Sequence, residues 1–151
     1  MIRLLAVAAA GVFALALAAP AHAAPVQGTA RGSVHINFVR YDPAGPDTGT
    51  NAHINKEIVV IKNSTGKARV LTGWTLRDRA GHVYRFPQTR LRSGHSVTVH
   101  TGKGHNRPGQ RYWGQGNYVW NNDGDRATLR TDGFNLIDRC RWGDGDGTTD
   151  C

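Results

Sequence analysis

Apolar and polar residues alternate along Val34-His35-Ile36-Asn37-Phe38-Val39, the period-two signature of a half-buried strand. Asp42–Asn55, with Pro43, Gly45, Pro46 and Gly49, predicts a turn-rich loop. Glu57–Ile61 is a short β-branched run typical of a buried strand, and Asn63-Ser64-Thr65-Gly66 ends it. Val70–Arg77 reads as strand broken at Gly73, and a turn at Asp78–Gly81 joins it to His82–Phe86 in a hairpin closed by Pro87. After a turn at Arg92-Ser93-Gly94, Ser96–His100 alternates again. A Gly-rich passage runs from Thr101 to Gly116, followed by a short strand at Tyr118–Trp120 and a tight turn over Asn121–Asp125. Ala127–Arg130 is a further strand, and Asp132-Gly133 turns into Phe134–Cys140. No segment repeats apolar residues at three- and four-residue spacing over a helix length. About seven to nine short strands, with turns every ~8–12 residues, predict an all-β sandwich or barrel.

The first residues follow a different rule. Met1-Ile2-Arg3, the apolar run Leu4–Ala19 and Ala21-His22-Ala23 have the order of a secretory signal peptide. The apolar run is shorter than the ~20 residues a spanning helix needs. Cleavage after Ala23 makes residues 1–23 a leader, starts the mature chain at Ala24 and predicts a secreted, extracellular product. Residues 24–33 have no period and read as a flexible arm. The domain is expected over 34–143, with an acidic, Gly-rich tail over 144–151. Without Arg3, 18 basic residues face 11 acidic ones, a mature charge of +7. Such a charge attracts nucleic acid, acidic cell-wall polymers or lipid headgroups, and it also aids solubility. Cys140 and Cys151 stand alone, and in an oxidising compartment the pair predicts a disulfide. Closing that loop is worth ~2.5–3 kcal/mol and pins the tail without organising the core.

The run Asn55–Asn63, then Leu71-Thr72-Gly73-Trp74-Thr75-Leu76-Arg77-Asp78, then Gly81–Pro87 resembles the lamin tail domain family, with secreted bacterial single-domain members the nearest in pattern. The likeness continues through Val97–Gly104, Tyr112-Trp113-Gly114, Val119–Asp125 and Ala127–Arg130, and so covers residues 33 to 143. It implies an immunoglobulin-like β-sandwich that serves as a binding or structural module, with no catalytic set of its own. The chain departs from the family pattern at the Glu57 strand, where Ile58 and Val60 would face outward. Either the Asp42–Asn55 loop covers that face or it is a contact patch. Trp74 is expected to fill the core, and Glu57 to bond backbone amides or an arginine rather than perform acid–base chemistry.

Candidate chemistry is sparse. Asp78-Arg79-Ala80-Gly81-His82 has a superficial likeness to the Asp-Arg-Gly-His site of metal-dependent nucleases, but Ala80 interrupts it and no metal-binding helix follows. Gly102-Lys103-Gly104 lacks the first glycine and the hydroxyl residue of a phosphate loop. Asp144, Asp146 and Asp150 lie in a loop without the glycine and distant glutamate of an EF-hand, so a solvated acidic loop is expected. The histidines are scattered, and no Gly-x-Ser-x-Gly occurs. No cofactor or metal is implied. The cation–aromatic mixture of Lys103, Arg107, Arg111, Tyr112 and Trp113 is the candidate binding site, with Tyr118 and Trp120 nearby. It suits nucleic acid or an anionic cell-surface polymer, with a protein partner or polysaccharide as alternatives. The opposing reading packs Trp113 and Trp120 in the sandwich and leaves the arginines solvated.

Overall fold

A computed structural model describes residues 32–151. The expected leader and residues 24–31 of the expected arm lie outside the described residues. Eleven strands and one helical turn follow in order: β1 Val34–Arg40, α1 Asn51–Ile54, β2 Ile58–Asn63, β3 Arg69–Val70, β4 Thr75–Arg77, β5 Val83–Arg85, β6 Arg90–Leu91, β7 Ser96–His100, β8 Gln110–Tyr112, β9 Gly124–Arg130, β10 Leu136–Gly143 and β11 Thr148–Asp150. They form a five-stranded sheet, β11-β1-β2-β7-β8, a four-stranded sheet, β10-β9-β4-β5, and a small pair, β3-β6. This is an all-β sandwich, as the period-two pattern predicts, and it is immunoglobulin-like, as the family resemblance implies.

The core follows from alternation. Ile36, Val39, Val59, Ile61, Val97 and Val99 point inward from one sheet, and Leu76, Tyr84, Ala127, Leu129 and Cys140 from the other. Leu71, Phe86 and Leu91 fill the space beside the β3–β6 pair. Apolar burial of this kind is the main term holding two sheets together. Buried Asn63 organises the turn after β2. Its amide donates to the carbonyls of Lys67 (2.9 Å) and Leu91 (3.0 Å), while its oxygen accepts from the Thr65 amide and hydroxyl.

Bulges join the sheets. The register of β1 against β2 slips between Ile36 and Phe38, and that of β10 against β9 slips between Leu136 and Asp138. Inward-facing Asp138 crosses the gap and accepts the Ile36 amide at 2.8 Å. The Cys140–Cys151 disulfide lies close by, with Cys140 only 4% exposed among the core residues. Cys140 belongs to the four-stranded sheet, whereas Cys151 directly follows β11 of the five-stranded one and donates its amide to Asn37 (3.2 Å). The expectation that the bridge stands apart from the core therefore gives way, because it links the two sheets. Thr148–Asp150 pairs with Phe38–Arg40 as an edge strand. Gly147, at φ +87°, makes that return possible, since a Cβ there would strike the Asp42 carbonyl.

Other local readings change. Asn51–Ile54 is a helical turn within the expected loop, capped by the Thr50 side chain. Gln110–Tyr112 forms a strand parallel to β7 inside the Gly-rich passage. Tyr118–Trp120 is not a strand, because the Val119 and Trp120 amides go to a carboxylate instead of a ladder. Trp74 is half-buried at the margin of the core, and Trp120, 2% exposed, is the tryptophan inside it. Ile58 and Val60 are half-buried on the outer face, between Arg40 and His100 and between Phe38 and Thr98 respectively.

Candidate ligand-binding surfaces

The loop after β7 is held from several sides. Asn51 accepts the Lys103 amide (2.7 Å), and the Lys103 carbonyl accepts from the side chains of Asn51 (3.0 Å) and Asn55 (2.9 Å). Lys103 and Arg107 are themselves exposed. Arg111 is not a free cation of this loop. Its guanidinium donates to the carbonyls of Arg107 (2.7 Å) and Gln110 (2.8 Å) and to the Thr89 hydroxyl (3.1 Å). Tyr112 stacks on His100 at 4.8 Å, and the His100 ring is fixed by the Asn55 carbonyl and the Gln110 side chain. Trp113 faces the other way, against Tyr84 and Trp120 at 5.8 Å each. Of the five candidates, the fold leaves Lys103 and Arg107 open to solvent, uses Arg111 as a brace and splits the two aromatics.

Glu57 has no exposed surface and lies just before β2. Its two carboxylate oxygens accept the amides of Val119 (3.0 Å) and Trp120 (2.9 Å). Burial pushes the carboxyl up to about 7, against the pull of those two amides. A titratable group in this position resembles a catalytic acid, yet it is fully buried and both oxygens are engaged by backbone amides. Its role is to fasten the 113–120 segment, whose Trp120 continues through Trp142 (5.7 Å) to Tyr41 (5.0 Å).

The Asp78–His82 segment is also structural. Asp78 is buried in the β4–β5 turn, where one oxygen accepts the amides of Gly81 and His82 (2.6 Å each) and the other meets the His82 ring. Such a carboxylate closes a turn, with both of its oxygens engaged by groups of that turn. Among the described residues, no three His, Cys, Asp or Glu side chains gather in a metal-holding arrangement. Plasmid DNA is therefore expected to stay intact with the purified protein and magnesium or calcium. Cleavage that His82→Ala abolished would reverse this assignment.

A further cationic surface lies on the outside of the four-stranded sheet. Because Ala127, Leu129 and Cys140 point inward, Arg126 and Arg130 of β9 and Arg139 and Arg141 of β10 point outward, as do Arg77 of β4 and Arg85 of β5. The signal is present in the sequence as arginines two or four residues apart. It reads as a face only once the strands are paired.

The model of a family described as Lamin Tail Domain matches residues 27–144. Among curated proteins, none matches the chain.

Proposed function

The chain belongs to the lamin tail domain family, a non-catalytic immunoglobulin-like module, and from that premise we propose that it is an exported binding module that holds an anionic polymer. The observation that supports this reading is the pinned loop after β7. Asn51, Asn55 and Arg111 hydrogen-bond its backbone, so the chain positions that carry exposed Lys103 and Arg107 are set before any ligand arrives. A preorganised pair of cations loses less conformational entropy on binding than two mobile ones. The disulfide fits an oxidising compartment outside the cytoplasm. Glycan stacking finds less support, since Trp113 is turned into the aromatic cluster.

The test is titration of the mature protein with anionic polymer at low and moderate salt. Lys103→Ala combined with Arg107→Ala is expected to weaken binding several-fold, flatten its salt dependence, and change stability by no more than ~0.5 kcal/mol. Unchanged affinity would remove this site, and binding insensitive to salt would favour a neutral polysaccharide or a protein. Intact mass of the exported protein is expected to correspond to a chain starting at Ala24 with both thiols oxidised.

A further inference from the structure

The outer face of the four-stranded sheet has an order that the loop site does not share. Strand register places Leu136, Arg130, Thr75 and Arg85 in one row across the sheet. The next row is Arg139, Thr128, Arg77 and Val83, and beyond it Arg141 stands directly opposite Arg126. None of these positions is acidic or aromatic. Like charges facing each other across a ladder destabilise it, so the Arg126–Arg141 pair is a cost that folding alone does not require.

The acids of the same strands cannot relieve it. Asp125 and Asp138 alternate to the interior side and are both buried. Asp125 accepts the amides of Arg79 (2.9 Å), Asn121 (3.2 Å) and Arg126 (2.7 Å), and Asp138 accepts those of Ile36 (2.8 Å) and Arg139 (2.8 Å). Among the described residues, the only ion pairs join aspartates to histidines. The guanidinium groups of Arg85 and Arg130 each donate to one backbone carbonyl, of Gly73 and Phe134, and keep their charge. The buried Nε of Arg126 meets no acceptor at all. Two threonines, Thr75 and Thr128, lie between the arginines in these rows and are themselves buried.

We propose that this face is a docking surface for a linear phosphodiester polymer without bases, of the polyol-phosphate kind found in cell envelopes. Planar guanidinium forks match the paired oxygens of a phosphodiester, and a row of them follows a repeating backbone. Bases and sugar rings take aromatic platforms, and the outward positions of these four strands carry no aromatic side chain. The surface is distinct from the Lys103–Arg107 loop, and the inference shares with the loop reading only the premise of an anionic partner met outside the cell.

Binding of the oxidised mature protein to a synthetic poly(glycerol phosphate) chain tests the proposal. Duplex DNA and hyaluronate serve as comparison polymers, at about 50 and 200 mM salt. The wild type is expected to bind the polyol phosphate more tightly than either comparison polymer, with affinity falling steeply as salt rises. Arg126→Gln, Arg139→Gln and Arg141→Gln together are expected to weaken binding about tenfold or more and reduce the salt slope. Arg77→Gln with Arg85→Gln, at the other end of the face, is expected to act in the same direction, and thermal melts establish that each variant is folded. Lys103→Ala with Arg107→Ala, which removes the loop site, is expected to weaken this binding less than either arginine-face variant does, because those residues lie off the face. The proposal is overturned by absence of wild-type binding, by tighter binding of DNA or hyaluronate, or by unchanged affinity in both folded arginine variants. Loss confined to the loop variant overturns it as well, while leaving the loop reading standing.

Discussion

Glu57→Ala is expected to lower the unfolding free energy by about 3–5 kcal/mol, a large share of the ~5–15 kcal/mol available to a domain of this size. The substitution leaves the buried amides of Val119 and Trp120 without an acceptor. Each orphaned donor costs about 1–3 kcal/mol, and the loss of the carboxylate opens space beneath the segment that carries Trp120. Denaturant melts followed by tryptophan fluorescence measure the effect. A change below ~1 kcal/mol would mean that the segment is held by its apolar contacts alone. Glu57→Gln separates the anchor from its charge. Burial raises the folded-state value from 4.5 to about 7, so between these pH values the folded state binds the extra proton. Stability from this group is therefore present below about pH 4.5 and is lost as pH rises through about 7, a swing of about 3 kcal/mol. The wild type should lose that much relative to Glu57→Gln across the window. A flat difference would show that the carboxylate stays ionised throughout.

Removing the disulfide with Cys140→Ala and Cys151→Ala is the second large effect, at about 3 kcal/mol from the loop-closure term for an 11-residue separation. Its position between sheets predicts more than a loosened terminus. Cys140 is packed in the core, and Asp138 two residues earlier holds the Ile36 amide. Hydrogen exchange should therefore speed up in β1 and β10 as well as in β11. Faster exchange confined to residues 148–151 would limit the bridge to the end of the chain.

Much of the sandwich was legible in the sequence, because alternation is a local property. Val34–Val39, Ser96–His100 and Ala127–Arg130 each show it and each form a strand. Gln110–Tyr112 lacks it, being a short edge strand among glycines whose hydrogen bonds go to one neighbour. Tyr118–Trp120 has the composition of a strand, but the Val119 and Trp120 amides go to a side chain 62 and 63 positions away. The surfaces were less legible for a similar reason. Charge and aromatic content drew attention to the continuous Lys103–Trp113 stretch, where contacts that no spacing reveals have turned Arg111 and Trp113 to structural tasks. The arginine face is assembled from β4, β5, β9 and β10, and β9 lies beside β4 only through a pairing of distant segments.

The three-residue strand β11 also covers an edge at which another copy of the chain could pair. While Cys151 is tied to Cys140, Thr148–Asp150 occupies the outer edge of β1 at Phe38, Val39 and Arg40. Reduction would free it to peel away and uncover the unpaired amides and carbonyls of a longer, apolar-rich strand, which is a template for another chain's edge. The cross-link thus doubles as a guard against self-association. Aggregation in reducing buffer should begin at β1, well before the sandwich as a whole unfolds.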